Sequence, residues 1–212
     1  MENIQNTPFT ASKLLAYANL QIAAEALYGK LKDPAGNPSD LIANGEITGK
    51  IETHLTDGNK HSSKFTTTQA AEFVKDWTIL SHLPSTSTGF SGTLFKNIHT
   101  GELVLSFRST EFIEDQVRDS VVTNTSEIKE HGWAFGQISD MEEWFSSLKT
   151  AGLIPNGQKI NVTGYSLGGH LATAFHILHS EQIEKTFTFN GAGVGSIGGD
   201  KVTTDEELYS YC

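Results

Sequence analysis

The residues with the clearest chemical content are Gly164-Tyr165-Ser166-Leu167-Gly168, a serine with glycines two positions before and two after it. An apolar, β-prone run over 159–163 precedes the serine, and a helical pattern over 168–179 follows it. A hydroxyl at such a strand-to-helix corner stands at the positive end of the helix, where a backbone N–H can take up the negative charge of an attacked carbonyl. The corner has to be sharp. Strand and helix then come so close that a Cβ at position 164 or 168 would lie between them, which is a use for glycine. The pattern therefore predicts Ser166 as a nucleophile toward a carbonyl and the N–H of Leu167 as an oxyanion donor, with Gly164 and Gly168 permitting the turn. The plainer alternative is a glycine-rich turn that merely starts a helix.

A second stretch could complete the same chemistry. Ser106-Phe107-Arg108-Ser109-Thr110-Glu111 closes an apolar strand, and the loop leaving a central strand can supply a second oxyanion donor. Thr110 is the candidate, through its backbone N–H, with its hydroxyl fixing the loop. The alternative is an ordinary strand exit with solvated polar residues.

These residues need a scaffold. A helix is predicted over 10–28, with Thr10 as N-cap, Gly29 as stop, and Leu14, Ala18 and Ile22 as its apolar stripe, flanked by Ala11, Leu15 and Ala26. Residues 30–59, rich in Gly, Asn, Asp and Pro, read as loop with one short strand pair. Thr67 or Thr68 caps a second helix running to Trp77, with Ala70, Phe73, Val74 and Trp77 inward. A loop containing Pro84 comes next. A hairpin then joins 92–98 to 102–107 through His99-Thr100-Gly101. The continuous apolar run Leu103-Val104-Leu105 marks its second arm as a central strand. Ile138, Met141, Phe145 and Leu148 repeat at helical spacing, and Gly152 ends that helix. Strands over 159–163 and 186–190 enclose the helix after Ser166. Strand, helix, strand, helix, strand is the order of a parallel sheet with right-handed crossovers.

The totals limit the function classes. The chain of 212 residues carries 15 Lys and Arg against 25 Asp and Glu, a net charge of −10, which disfavours nucleic acid and anionic lipid headgroups as partners. Its single cysteine, Cys212, excludes an internal disulfide and a cysteine-built zinc site. Nothing in the sequence has the length of a transmembrane segment, and the N-terminus lacks the basic and apolar regions of a Sec-type signal peptide.

Taken together, Leu105-Ser106-Phe107-Arg108-Ser109-Thr110 and Val162-Thr163-Gly164-Tyr165-Ser166-Leu167-Gly168-Gly169 resemble the class 3, or fungal-type, lipases of the α/β-hydrolase superfamily. Gly58-Asn59-Lys60-His61, the run 88–95 and the run 187–194 extend the likeness, which spans about 58–199 and leans toward bacterial secreted lipases and phospholipases. The resemblance implies an α/β-hydrolase fold with a mostly parallel central sheet in a single domain, with a helical segment over 1–57 and an incomplete lipase-like core over 58–212. It implies an ester hydrolase for acyl glycerolipids, triacylglycerol or phospholipid, met at a lipid–water interface; no cofactor is expected, and no metal either, since no glycine-aspartate calcium repeat is visible in this chain. Ser166 matches the nucleophile, Leu167 and Thr110 the oxyanion donors. Ser109 stands where many members have glycine. The segment 111–120, with Phe112, Ile113 and Val117 among charged residues, falls where fungal members carry a lid; a surface helix is the other reading.

The superfamily order is Ser, then Asp, then His. The acids downstream of Ser166 in the terminal stretch, Asp200 and Asp205, follow the last strand directly, where the triad Asp would need a further strand. His176 and His179 lie too far along the helix, His170 lines the floor of the site or packs in the core, and His99 and His131 precede the serine. The expectation is a chain truncated at its C-terminal side, with the Asp and His beyond Cys212 and at most trace activity alone. A non-enzymatic fragment that keeps only the corner is the competing reading. Export by a route not encoded here, or a cytoplasmic location, completes the expectations.

Overall fold

The protein is seen in a computed structural model that describes residues 10–29, 47, 49–59, 64–109, 128, 132–194, 196–197 and 200–201. Five strands form one mixed sheet in the order β1 (Trp77–Leu83), β2 (Gly92–Asn97), β3 (Leu103–Phe107), β4 (Ile160–Tyr165) and β5 (Ile183–Phe189). β1–β2 and β2–β3 pair antiparallel, whereas β3–β4 and β4–β5 pair parallel. The parallel pairs are linked by crossover helices, α4 (Phe135–Thr150) and α5 (Leu167–Leu178). This is the α/β-hydrolase arrangement expected from the sequence, with the serine corner at the carboxyl end of an inner parallel strand.

Both faces of the sheet are covered, so β3 is buried at all five positions. Its side chains alternate. Leu103, Leu105 and Phe107 join Ile160 and Val162 of β4 in the core under α4 and α5, while Val104 faces the opposite core with Phe95. α4 buries Ile138, Met141, Phe145 and Leu148 as the spacing predicts, and Gly152 follows it at φ +70°. The hairpin forms as expected, with Gly101 in its turn at φ +75°.

The opposite face is covered by α1 (Ala11–Ala24), α2 (Ile51–Asp57) and α3 (Thr67–Asp76), which share a core with Phe95 and Val104. Here the sequence expectations need correction. Thr10 does cap α1, accepting from the N–H of Lys13. The buried face, however, is Tyr17, Leu20, Ala23 and Ala24, not the predicted Leu14 stripe; Leu14 is 45% and Leu15 61% exposed. Two overlapping apolar stripes run along this helix, and the sheet selects the one whose Tyr17 ring stacks on Phe187 with centroids 3.8 Å apart and whose hydroxyl donates to Glu102. The tyrosine's burial and that carboxylate hold its pKa well above the ordinary range. α1 stops at Ala24, short of Tyr28. The Tyr28 hydroxyl donates back to the Ala23 carbonyl at 2.7 Å, a local bond that folds the last four residues back on the end of the helix.

α2 lies in a stretch read as loop. Its seven residues are too few to show periodicity, and it is held by burial of His54 and Leu55. α3 begins one residue earlier than predicted, with Thr66 and Gln69 forming a capping box. Trp77, assigned to that helix, instead starts β1, a strand the sequence analysis did not find. Thr78-Ile79-Leu80 favours a strand, but a register irregularity between Ile79 and Ser81 breaks the alternation that would have revealed it. After β5 a small hairpin pairs Ser196–Ile197 with Asp200–Lys201, where only loop was expected.

Candidate active site

Ser166 sits between β4 and α5 at φ +51°, ψ −118°, a backbone conformation that residues with a Cβ rarely adopt and that costs on the order of 1–3 kcal/mol. The surroundings hold it there. Its N–H donates to the Phe189 carbonyl at 3.1 Å, and its own carbonyl accepts from the N–H groups of Gly169, His170 and Ala192 at 3.0, 3.2 and 2.9 Å. The backbone of Ser166 is thereby tied both to the first turn of α5 and to the loop after β5.

The glycines on either side of Ser166 sit where a side chain has no room. A Cβ on Gly164 would lie 2.1 Å from the carbonyl oxygen of Gly168, and one on Gly168 would lie 2.2 Å from the carbonyl oxygen of Phe107. Gly169 contributes a third close approach, since its Cβ would stand 2.8 Å from the Cα of Gly191. The exit of β3 therefore runs directly against the first turn of α5. Leu167 and Gly168 open that turn; their N–H groups precede any intrahelical acceptor and carry the positive end of the helix dipole. Leu167 is buried, Ser166 half-buried, and Tyr165 40% exposed, which places the serine at the rim of the sheet.

Thr110, the expected second oxyanion donor, lies outside the described residues, as does the 111–120 segment. The residues before it are informative. The Arg108 N–H donates to the Ser91 carbonyl at 3.0 Å. Ser109 gives both its N–H and its hydroxyl to the carboxylate of Glu25, at 2.8 Å each. Both N–H groups are thus engaged inside the fold. Glu25 is not among the residues the motifs single out. The signal available was a lone acid in the otherwise apolar run Ala23-Ala24-Glu25-Ala26-Leu27.

His170 is fully buried, in the core rather than on the floor of a site. The N–H of Ala134 donates to its Nε2 at 3.3 Å, and its Nδ1 lies 3.2 Å from the carbonyl oxygen of Gly193. A carbonyl only accepts, so Nδ1 carries the hydrogen and the ring is neutral. The ring clasps the loop entering α4 to the loop after β5, against Trp133. Burial pushes its pKa below the ordinary value, partly offset by the Gly193 carbonyl. The unfolded chain then binds a proton that the folded one refuses. The stability contribution is complete above the unfolded-state pKa of about 6.5 and is lost as pH falls below it, with a slope of at most about 1.4 kcal/mol per pH unit. Urea unfolding between pH 8 and pH 5 is expected to show this loss, and His170→Gln a shallower dependence. Parallel dependences in the two proteins would disprove it.

The remaining histidines are placed elsewhere. His99 occupies the β2–β3 turn, at the opposite end of the sheet from Ser166, bonded to the Lys75 carbonyl. His176 meets Thr186, and His179 pairs with Glu142 at 2.8 Å between the rings of Phe145 and Phe175. His131 and Asp205 lie outside the described residues. Among the described residues no histidine hydrogen-bonds the Ser166 hydroxyl, no group of three or more His, Cys, Asp or Glu is gathered as for a metal ion, and no helix is long and apolar enough to cross a membrane.

No family model matches the chain, and no curated protein does. Solved structures do. A lipase from Rhizopus microsporus var. chinensis is 14% identical over 92% of this chain and 66% of its own, with a TM-score of 0.45. The Lip2 lipase from Yarrowia lipolytica is 17% identical over 93% and 69%, with a TM-score of 0.42. MDLA from Penicillium cyclopium is 13% identical over 85% and 62%, with a TM-score of 0.45. These matches are fungal, so the lean toward bacterial secreted enzymes finds no support among them. The chain spans about two thirds of the length of the solved structures it matches, and what it is similar to, on motifs and on these structures, is the fungal-type lipases.

Proposed function

We propose that this chain carries the nucleophile of a carboxylic ester hydrolase acting on acyl glycerolipids, with Ser166 attacking the ester carbonyl. The observation that supports it most is the backbone of Ser166. A non-glycine residue held at φ +51° between a parallel strand and the first turn of a helix, clamped by four backbone hydrogen bonds, is a strained position. A turn whose task was only to begin a helix would take glycine or an unstrained cap there.

In this reading the Ser166 oxygen adds to the carbonyl carbon, its proton passes to a general base, and negative charge develops on the carbonyl oxygen. The Leu167 N–H, at the positive end of α5, donates to that oxygen, with the N–H of Thr110 as its partner. Collapse expels the alcohol and leaves an acyl-serine, which water then hydrolyses. Gly164 and Gly168 admit the corner that presents the hydroxyl. Substrate class rests on the resemblance of the motifs to lipases.

The test is covalent. A nitrophenyl alkylphosphonate, followed by peptide mass analysis of the protein at its native length, is expected to modify Ser166. Modification of another serine with Ser166 untouched would refute the assignment.

A further inference from the structure

Glu25, at the end of α1, is 2% exposed, yet it is a carboxylate. Its two oxygens take the two donors of one residue on another element: Oε1 the Ser109 N–H and Oε2 the Ser109 hydroxyl, each at 2.8 Å. Bonds of this charge-assisted kind are stronger and more directional than neutral ones, and a buried carboxylate relies on them. Ser109 adjoins Arg108, whose carbonyl oxygen stands 3.1 Å from where a Cβ on Gly168 would be, with that of Phe107 at 2.2 Å. The segment that Glu25 grips is thus packed against the turn that carries Leu167. Glycine at 109 would offer only the N–H; the serine here supplies a second bond, and Glu25 is its acceptor.

We propose that Glu25 is a positioning residue of the ester-hydrolysis site, fixing the exit of β3 against the Ser166 corner through its bidentate hold on Ser109. This rests on the hydrolase reading above. Oxyanion charge exists only in the transition state and the intermediate, so a loosened exit loop weakens stabilisation there and leaves ground-state binding intact. A displacement of about 1 Å in a supporting element can cost on the order of 100-fold in rate.

The experiment is a steady-state comparison on a short-chain nitrophenyl ester, using the protein at its native length. The variants are Glu25→Gln, Ser109→Ala, the two combined, and Ser166→Ala as blank, with thermal unfolding of each. Glutamine retains the size but removes the charge: its carbonyl accepts the Ser109 N–H and its NH2 donates to the Ser109 hydroxyl, so two charge-assisted bonds become two weaker neutral ones. Glu25→Gln is expected to lower kcat by roughly 10- to 100-fold with KM within about twofold, and Ser109→Ala to lower kcat by a smaller factor. The double variant is expected to be no worse than Glu25→Gln alone, because both act through one contact. Unchanged kcat in Glu25→Gln, or losses that multiply in the double variant, would overturn the proposal. If Glu25→Gln does not fold, Ser109→Ala decides, since a kcat equal to wild type there overturns it. Hydrolysis that survives Ser166→Ala would instead overturn the assignment of Ser166 as nucleophile, and this inference with it.

Discussion

Replacing Ser166 by alanine is expected to lower ester hydrolysis by roughly 10³- to 10⁶-fold while leaving the fold intact. In the proposed mechanism the residual rate comes from the oxyanion donors, which Ser166→Ala leaves in place, since the group assigned to Leu167 is its backbone N–H. The folded state tolerates the change because the bonds that hold the corner are made by the backbone of Ser166, to Phe189, Gly169, His170 and Ala192. The strain gives a second readout. At φ +51°, glycine is relaxed where serine is not, so Ser166→Gly is expected to be inactive yet more stable than wild type by about 1 kcal/mol. Activity falling while stability rises marks a residue kept for chemistry. A Ser166→Gly protein less stable than wild type would remove the strain argument, and hydrolysis undiminished in Ser166→Ala would remove the nucleophile.

Gly168→Ala is expected to cost on the order of 4 kcal/mol or more, a large share of the roughly 5–15 kcal/mol that stabilises a typical domain. The new Cβ would lie 2.2 Å from the carbonyl oxygen of Phe107 and 2.9 Å from its carbon. Both are backbone atoms of a strand paired on its two sides, so no side-chain rotation relieves the clash. Either α5 moves away from β3 or the strand shifts, and both changes open the core around Leu105 and Phe175. Gly152→Ala is the control. Nothing lies within 4 Å of its Cβ position, and only its φ of +70° opposes a side chain, so a loss of about 1–2 kcal/mol is expected. Urea unfolding of both variants checks the contrast. Equal losses would mean that the close approach of α5 to β3 is not what selects glycine at 168.

Local pattern sufficed where an element's neighbours matter little to its own signal. The inner strand at 103–107, the helix before β4, the hairpin turn at Gly101 and the serine corner were all legible. The strand is a continuous apolar run, the helix a periodicity ended by Gly152, and the glycine pair around Ser166 encodes a distance of approach that only one kind of turn requires. Tertiary structure decided the rest. It chose which stripe of α1 is buried, because two stripes have similar apolar content and only one places Tyr17 over Phe187. It made β1 a strand by pairing it with β2 across an irregular register that hides its alternation. It turned His170 from a candidate beside the site into a neutral clasp, since the carbonyl and the N–H that hold it come from loops far apart in sequence. It also joined Glu25 to Ser109, 84 residues away. A hydrogen bond across that separation leaves no periodic trace in a sequence; it exists only once α1 and β3 have packed on each other.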